Sequence, residues 1–302
     1  MRKSVYILLF ILISVKGYSQ TFFDKSDIFN KKRTIFVSGI NTFNWGASIG
    51  GLYFVWYKNL PKTKFHFFND ANEWQQMDKL GHLTVSYNFA KTSADLYEWA
   101  GIDSKKASLI GAGYAFAYMF TFEMLDAFNE KWGFSVPDII ANTSGICLFS
   151  IQDYFWNEQF ITPKFSSHLT SLASLRPDVL GGKPIEQLFK DYNGQTYWLS
   201  FNPFYMLKKS SKIPHWLSLS FGYSINNQLI GNGDTFVYLD GTEQTSFTPY
   251  KQFYFSLDID WEKIPIKNPY LKILFRGLNI IKIPFPAIEF SKYGVKGYGV
   301  YF

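Results

Sequence analysis

The feature that most constrains the fold is a set of polar residues placed in otherwise apolar segments: Asp78-Lys79-x-x-His82, then Glu123-x-x-Asp126, then Asp138-x-x-x-Asn142-x-x-Gly145. Side chains three and four residues apart share one face of an α-helix. Three such helices packed together bring Asp78, His82, Glu123, Asp126 and Asp138 into one polar centre, and function is expected there. Charges in an apolar setting are costly, so the members of this centre must partner one another or a ligand.

The surrounding sequence reads as four helices with short connections, the pattern of a bundle. The first contains the run from Phe36 to Tyr57, which carries no charge and is about long enough to cross a hydrocarbon core. Its Gly46-x-x-x-Gly50 spacing suits close helix contact, while Ser38, Asn41, Thr42, Asn44 and Ser48 argue at least as strongly for burial within protein. A second helix is expected from about Glu73 to Trp99, closed by Gly101. Asp103 and Ser104 can cap a third, which is uncharged from Ala107 to Phe122 and carries Gly111, Ala112, Gly113, Ala115 and Ala117 for tight packing. After a break at Trp132-Gly133, Ser135 as cap and Pro137 in the first turn start a fourth helix that continues to about Trp156.

Beyond the helices the period changes. Pro163, Pro177, Gly181, Gly182 and Pro184 mark a connector, and Asn193-Gly194 is a turn signal. Leu217, Leu219, Phe221, Tyr223 and Ile225 then alternate with Ser218, Ser220, Gly222 and Ser224. Phe253, Phe255, Leu257, Ile259 and Trp261 alternate with Tyr254, Ser256, Asp258 and Asp260 in the same way. Such strands fit a soluble antiparallel sheet packed on the bundle, and equally the lipid-facing strands of an outer-membrane barrel. The chain closes on alternating Tyr298, Val300 and Phe302, as a last barrel strand does, but Ile283-Pro284-Phe285-Pro286 interrupts one strand. About six or seven strands are expected, against about eight in the smallest common barrel.

The expected fold class is therefore α+β: an N-terminal bundle of about four apolar helices followed by a C-terminal antiparallel β region, either a sheet or a small barrel. The divisions are a signal peptide at 1–19, the helical bundle at 20–160, a connector at 161–193 and the β region at 194–302.

Export is read from the first residues. Arg2 and Lys3 precede an apolar run from Val5 to Val15, too short to span a bilayer, and Gly17-Tyr18-Ser19 supplies small residues at the cleavage positions. The only cysteine is Cys147, far from that point, so no lipid anchor and no disulfide framework are expected, and Cys147 reads as a small buried residue. Cleavage would leave 27 basic residues against 24 acidic ones, which is not the balance of a nucleic-acid binder. With 20% aromatic and only 18% charged residues, contact with a membrane or lipid is the expected partnership. The periplasm or outer membrane of a Gram-negative bacterium is the expected location.

Two chemistries fit the polar centre. In the first, it is catalytic: His82 moves protons, Asp78, Glu123 and Asp138 orient groups, and Asn142 donates hydrogen bonds. A divalent metal is a candidate cofactor, with Asp78, His82, Glu123 and Asp126 as ligands, because Glu123 and Asp126 on one turn repel unless a proton or cation lies between them. In the second, the same residues satisfy one another as a buried network that fixes helix register. His66, His168 and His215 form no second metal spacing, and Ser144-Gly145 lies in a helix pattern that suits packing better than nucleophilic attack.

The ordered series Asp-Lys-x-x-His, Glu-x-x-Asp, Gly-Phe-Ser-x-x-Asp and Asp-x-x-x-Asn-x-x-Gly, from about Met77 to Gly145, resembles the YfiM-like family of exported envelope proteins. More distantly it is similar to the VanZ-like membrane proteins. The segment from Asp191 to Ser200 resembles a stretch of the Bacteroidetes-type members. The resemblance implies an envelope location and brings no established activity. The missing cysteine near the N-terminus departs from the lipid-anchored pattern of the family.

Overall fold

A computed structural model describes residues 20–58, 60–203, 214–240 and 243–302; the expected signal segment lies outside the described residues. Four long helices are present: α1 (Lys31–Leu52), α2 (Met77–Trp99), α3 (Ser104–Asp126) and α4 (Val136–Trp156). The expected caps hold α3 and α4, with the Asp103 side chain accepting from the Lys106 amide and Ser135 from the Asp138 amide. Gly101 ends α2 region at φ +81°, a conformation a side chain disfavours. The chain leaves α1 through a π-turn, Tyr53–Tyr57, which delivers Tyr57 to the centre of the bundle.

α2 packs between α3 and α4 on Tyr87, Ala90, Ala94, Ala115, Ile146 and Phe149. Close approach there depends on missing β-carbons. One at Gly111 would collide with the Ala90 carbonyl oxygen, and one at Gly145 with the Leu83 carbonyl oxygen. α1 is held to α2 by polar contacts as well: Asn41 Nδ2 donates to Ser93 Oγ over 2.9 Å, and Ser38 pairs with Tyr97 at 3.0 Å. Its other side is open, with Val37 and Asn41 its only fully buried residues. No described helix is long and apolar enough to cross a membrane. Cys147, expected to be buried, is exposed on α4 in an outward row with Ile140, Ile151 and Phe155, because helix periodicity turns the Asn142–Gly145 side inward.

The antiparallel β region is a six-stranded sheet in the order β1-β2-β3-β6-β7-β8, and β4 with β5 makes a separate hairpin. The strands are β1 (Ile161–Ser167), β2 (Gln195–Phe201), β3 (Leu217–Asn226), β4 (Phe236–Asp240), β5 (Glu243–Phe247), β6 (Tyr250–Ile259), β7 (Phe285–Ser291) and β8 (Gly294–Tyr301). The stretch 161–193 is thus more than a connector, since β1 pairs with β2 from Ile161↔Phe201 to Ser167↔Gln195. Pro163 sits in β1, an edge strand, where its missing amide is tolerated. A helix, α5 (Pro269–Leu278), links β6 to β7.

The sheet is strongly curled. β2 and β8 are four strand steps apart, about 19 Å on a flat sheet, yet Thr196 and Tyr301 hydroxyls lie 3.0 Å apart. Along the outer edge of β1, the Phe165 amide bonds the Ile280 carbonyl and the Lys282 amide bonds the Phe165 carbonyl. Curling reverses the burial that a soluble sheet would show. Serines 200, 218, 220, 224 and 256 face inward, as do Lys164 and Asp258, paired at 2.8 Å. Trp198, Tyr254, Tyr298 and Tyr301 fill the remaining concave space. The apolar alternates Phe221, Phe253 and Leu257 face outward.

Two glycines on α3 provide a contrast. Gly111→Ala is expected to lower the melting temperature by several degrees, since overpacking costs about 1–3 kcal/mol. Gly113→Ala, where nothing lies within 4 Å of the added carbon, is expected to be neutral or to stabilise by up to about 1 kcal/mol. Thermal unfolding followed by circular dichroism reads both; equal effects would remove Gly111 from the helix contact.

Candidate functional site

The polar residues of the three helices converge. Asp78 and His82 lie one turn apart on α2, Glu123 faces them from α3, and Asp138 and Asn142 come from the first turns of α4. His82 is the hub. Its Nδ1 is 3.1 Å from Asn142 Oδ1 and 3.4 Å from Glu123 Oε1, while Nε2 is 3.8 Å from both Asp78 Oδ2 and Asp138 Oδ1. Carboxyl groups therefore stand off both ring nitrogens. Glu123 is fully buried, and its Oε2 has no hydrogen-bond partner; neither does Asn142 Nδ2.

Lys79 supplies the main positive charge. Its Nζ lies 2.6 Å from Asp138, 2.7 Å from Asp70 and 2.9 Å from Asp78. Asp70 also accepts from the Ser135 hydroxyl at 2.6 Å, joining this cluster to the α4 cap. Asp126 accepts from Tyr57 at 2.6 Å. Tyr192, from the segment before β2, donates to Asp78 at 2.9 Å. Asp78 is half-buried, with 29% of its side chain exposed.

The ligand-type atoms of Asp78, His82 and Asp138 all lie within 4.8 Å of one another. Lys79 stands between the two carboxylates, where a cation shared by them would sit. Of the expected ligand set, Glu123 addresses the opposite ring nitrogen of His82, and Asp126 is turned to Tyr57. Asp70, Tyr57 and Tyr192 were not expected in the centre. Asp70 and Tyr57 lie in segments with no helical spacing to the motif. Tyr192 falls within the Asp191–Ser200 stretch singled out by resemblance alone.

The centre carries more carboxyls than cations, and burial sets their protonation. Burial pushes Glu123 up to about 8, with His82 opposing the rise. Asp126 and Asp138 are each pushed up to about 7, again chiefly by burial. Burial alone would depress His82, but Asp78, Asp138 and Glu123 overcome it and lift the imidazole to about 9. For Asp78 burial is outweighed by His82 and Lys79, and its pKa falls below the ordinary carboxylate range.

A family model described as "Predicted periplasmic lipoprotein (DUF2279)" matches residues 66–157, the stretch that holds every helical member of this centre. No curated protein and no solved structure matches the chain. The periplasmic description agrees with export to the periplasm or outer membrane, as read from the N-terminal residues.

Stability should depend on pH through this centre. Glu123, Asp126, Asp138 and His82 all bind protons more tightly when folded, so stability falls as pH rises. The carboxyl contribution is lost from the unfolded value near 4 up to about 8, and the His82 contribution from about 6.5 up to about 9. The melting temperature is expected to drop by several degrees between pH 5 and pH 9. Glu123→Gln, which needs no proton, is expected to raise it at pH 9 and change it little at pH 5. An unchanged pH profile in this variant would mean that Glu123 is ionised in the fold.

Proposed function

We propose that the protein is an exported, membrane-associated envelope protein whose buried centre is an acid/base site, acting in hydrolysis or transfer on a lipid or cell-wall precursor. The observation that carries this reading is the His82 ring with carboxyl groups off both nitrogens, one of them the unpartnered Glu123. A histidine so flanked is held in one orientation and can exchange protons on one side while its charge is balanced on the other. Asp78, half-buried, is the group a substrate or water meets first; Asp138 and Asn142 orient the ring. In the metal-assisted version, Asp78, His82 and Asp138 would hold the cation, with Glu123 and Asp126 near it and Lys79 displaced. The resemblance to YfiM-like and VanZ-like proteins supports the envelope setting.

A second reading is favoured by Lys79. One ammonium tied to three carboxylates from α2, α4 and the preceding loop is also what a lock on helix register requires.

The two readings separate on His82→Ala. The protein and the variant are incubated with lipid and peptidoglycan precursors, products are followed by mass spectrometry, and melting temperatures are compared. Turnover by wild type that falls at least about 100-fold in a folded variant supports the acid/base site. No turnover by either, with a large loss of melting temperature in the variant, supports the lock and sinks the catalytic reading. Elemental mass spectrometry tests the metal version, which requires a stoichiometric divalent metal that is lost in Asp138→Ala.

A further inference from the structure

The outward face of the curled sheet is apolar and continuous. Cross-strand neighbours run Leu199↔Phe221, Phe221↔Phe255 and Phe255↔Ile288 in one row, and Phe253↔Phe290 and Phe290↔Val295 in the next, which ends where the Tyr223 hydroxyl donates to the Gln75 carbonyl at 2.8 Å. Phe221 is 56% exposed and Phe253 53%. Soluble monomers rarely leave so contiguous an apolar surface open. None of these outward side chains carries a charge or an amide. A protein interface would ordinarily place about one hydrogen bond in every 100–200 Å² of such a surface.

One rim of this face has a different composition. The start of β6 and the β7–β8 turn bring together Tyr250, Lys251, Lys292 and Tyr293. The Lys292 ammonium lies 5.3 Å from the Tyr250 ring and 5.1 Å from the Tyr293 ring, and the two rings are 4.9 Å apart. Tyrosine and lysine together suit the boundary between acyl chains and headgroups. Lys251 and Lys292 are exposed at this rim, and the β4–β5 hairpin at the same end of the sheet carries Asp234, Asp240 and Glu243. The two ammonium groups beside the tyrosine rings can pair with lipid phosphates.

We propose that this face enters one leaflet of a bilayer containing anionic phospholipid, with Lys251, Lys292 and Tyr293 at headgroup level. The apolar rows pair Leu217↔Ile259, Leu219↔Leu257, Phe221↔Phe255 and Tyr223↔Phe253. Four rows at two residues each cover about 20 Å along the strands, short of the ~30 Å hydrocarbon core, so the face does not span it.

This inference rests on the membrane-associated part of the function proposed above and adds which surface binds and to which lipid. The test is flotation of the full exported chain with vesicles of phosphatidylcholine alone or mixed with phosphatidylglycerol. It compares wild type, Phe253→Gln/Phe290→Gln and Lys251→Gln/Lys292→Gln, with circular dichroism to show that each is folded. Wild type should float with the anionic vesicles. The phenylalanine variant should lose on the order of tenfold or more in partitioning, and the lysine variant should lose the preference for phosphatidylglycerol. Failure of wild type to float at all would overturn membrane association together with the surface. Flotation that the phenylalanine variant retains would overturn the surface and leave association standing. Equal flotation of wild type with both vesicles would overturn the anionic headgroup. A wild-type dimer that the phenylalanine variant dissociates, with no flotation, would make the face a self-association surface instead.

Discussion

Lys79 places one ammonium against Asp70, Asp78 and Asp138, and the arrangement of the helical half depends on that contact. The three carboxylates come from the loop before α2, from α2 itself and from the first turn of α4. None is comfortable in a poorly hydrated interior without the cation. With it, the loop, the α4 cap and α2 are fixed relative to one another, and His82 is presented to Asn142 at hydrogen-bonding range and to the Glu123 carboxyl at 3.4 Å. Breaking one partner of such a cluster is far more costly than the cluster's net contribution to stability, because a buried charge is left uncompensated. The same excess of carboxyls over cations makes protonation part of the resting structure: Glu123 is held as the acid by burial.

The two halves bury different chemistry. The helices enclose an ionic centre beside an apolar core of Tyr87, Ala90, Ala94, Ala115, Ile146 and Phe149, and leave rows such as Ile140, Cys147, Ile151 and Phe155 outside. In the sheet, Lys164, Asp258 and the serines are enclosed while Phe221, Phe253 and Phe290 face out. Water favours the opposite arrangement, since apolar burial is the largest favourable contribution to folding. On the concave side Ser200 donates to Asp258 at 2.5 Å, and Lys164 pairs with the same carboxylate at 2.8 Å.

The helical half was legible because its signals are local. Caps at Asp103 and Ser135, Pro137 in the first turn and uncharged runs ending at Glu123 each define a boundary without reference to the rest of the chain. The i, i+4 spacing of Asp78 with His82, and of Asp138 with Asn142, named most of the centre. Tyr57, Asp70 and Tyr192 stayed hidden because they arrive from a π-turn, a loop and the approach to β2, where no period marks an inward side chain. β1 was hidden by Pro163, which reads as a breaker unless the strand is known to lie at an edge.

By itself, the sequence determined the helices-then-strands order, the α+β class and most of the residue types that meet at the centre, because caps, periods and residue types act over a few residues. It also determined that the strands through Leu217–Ile225 and Phe253–Ile259 each have one apolar and one small or polar face. Only the tertiary structure decided which face is enclosed. Period two is symmetric between the two sides of a sheet, and the choice lies in curvature, set by Tyr301 reaching Thr196 and by the segment at Ile280 and Lys282 pairing along β1. Likewise, only the fold decided that Lys79 stands between Asp78 and Asp138 while Asp126 turns to Tyr57, because that partition depends on distances between helices that no single helix encodes.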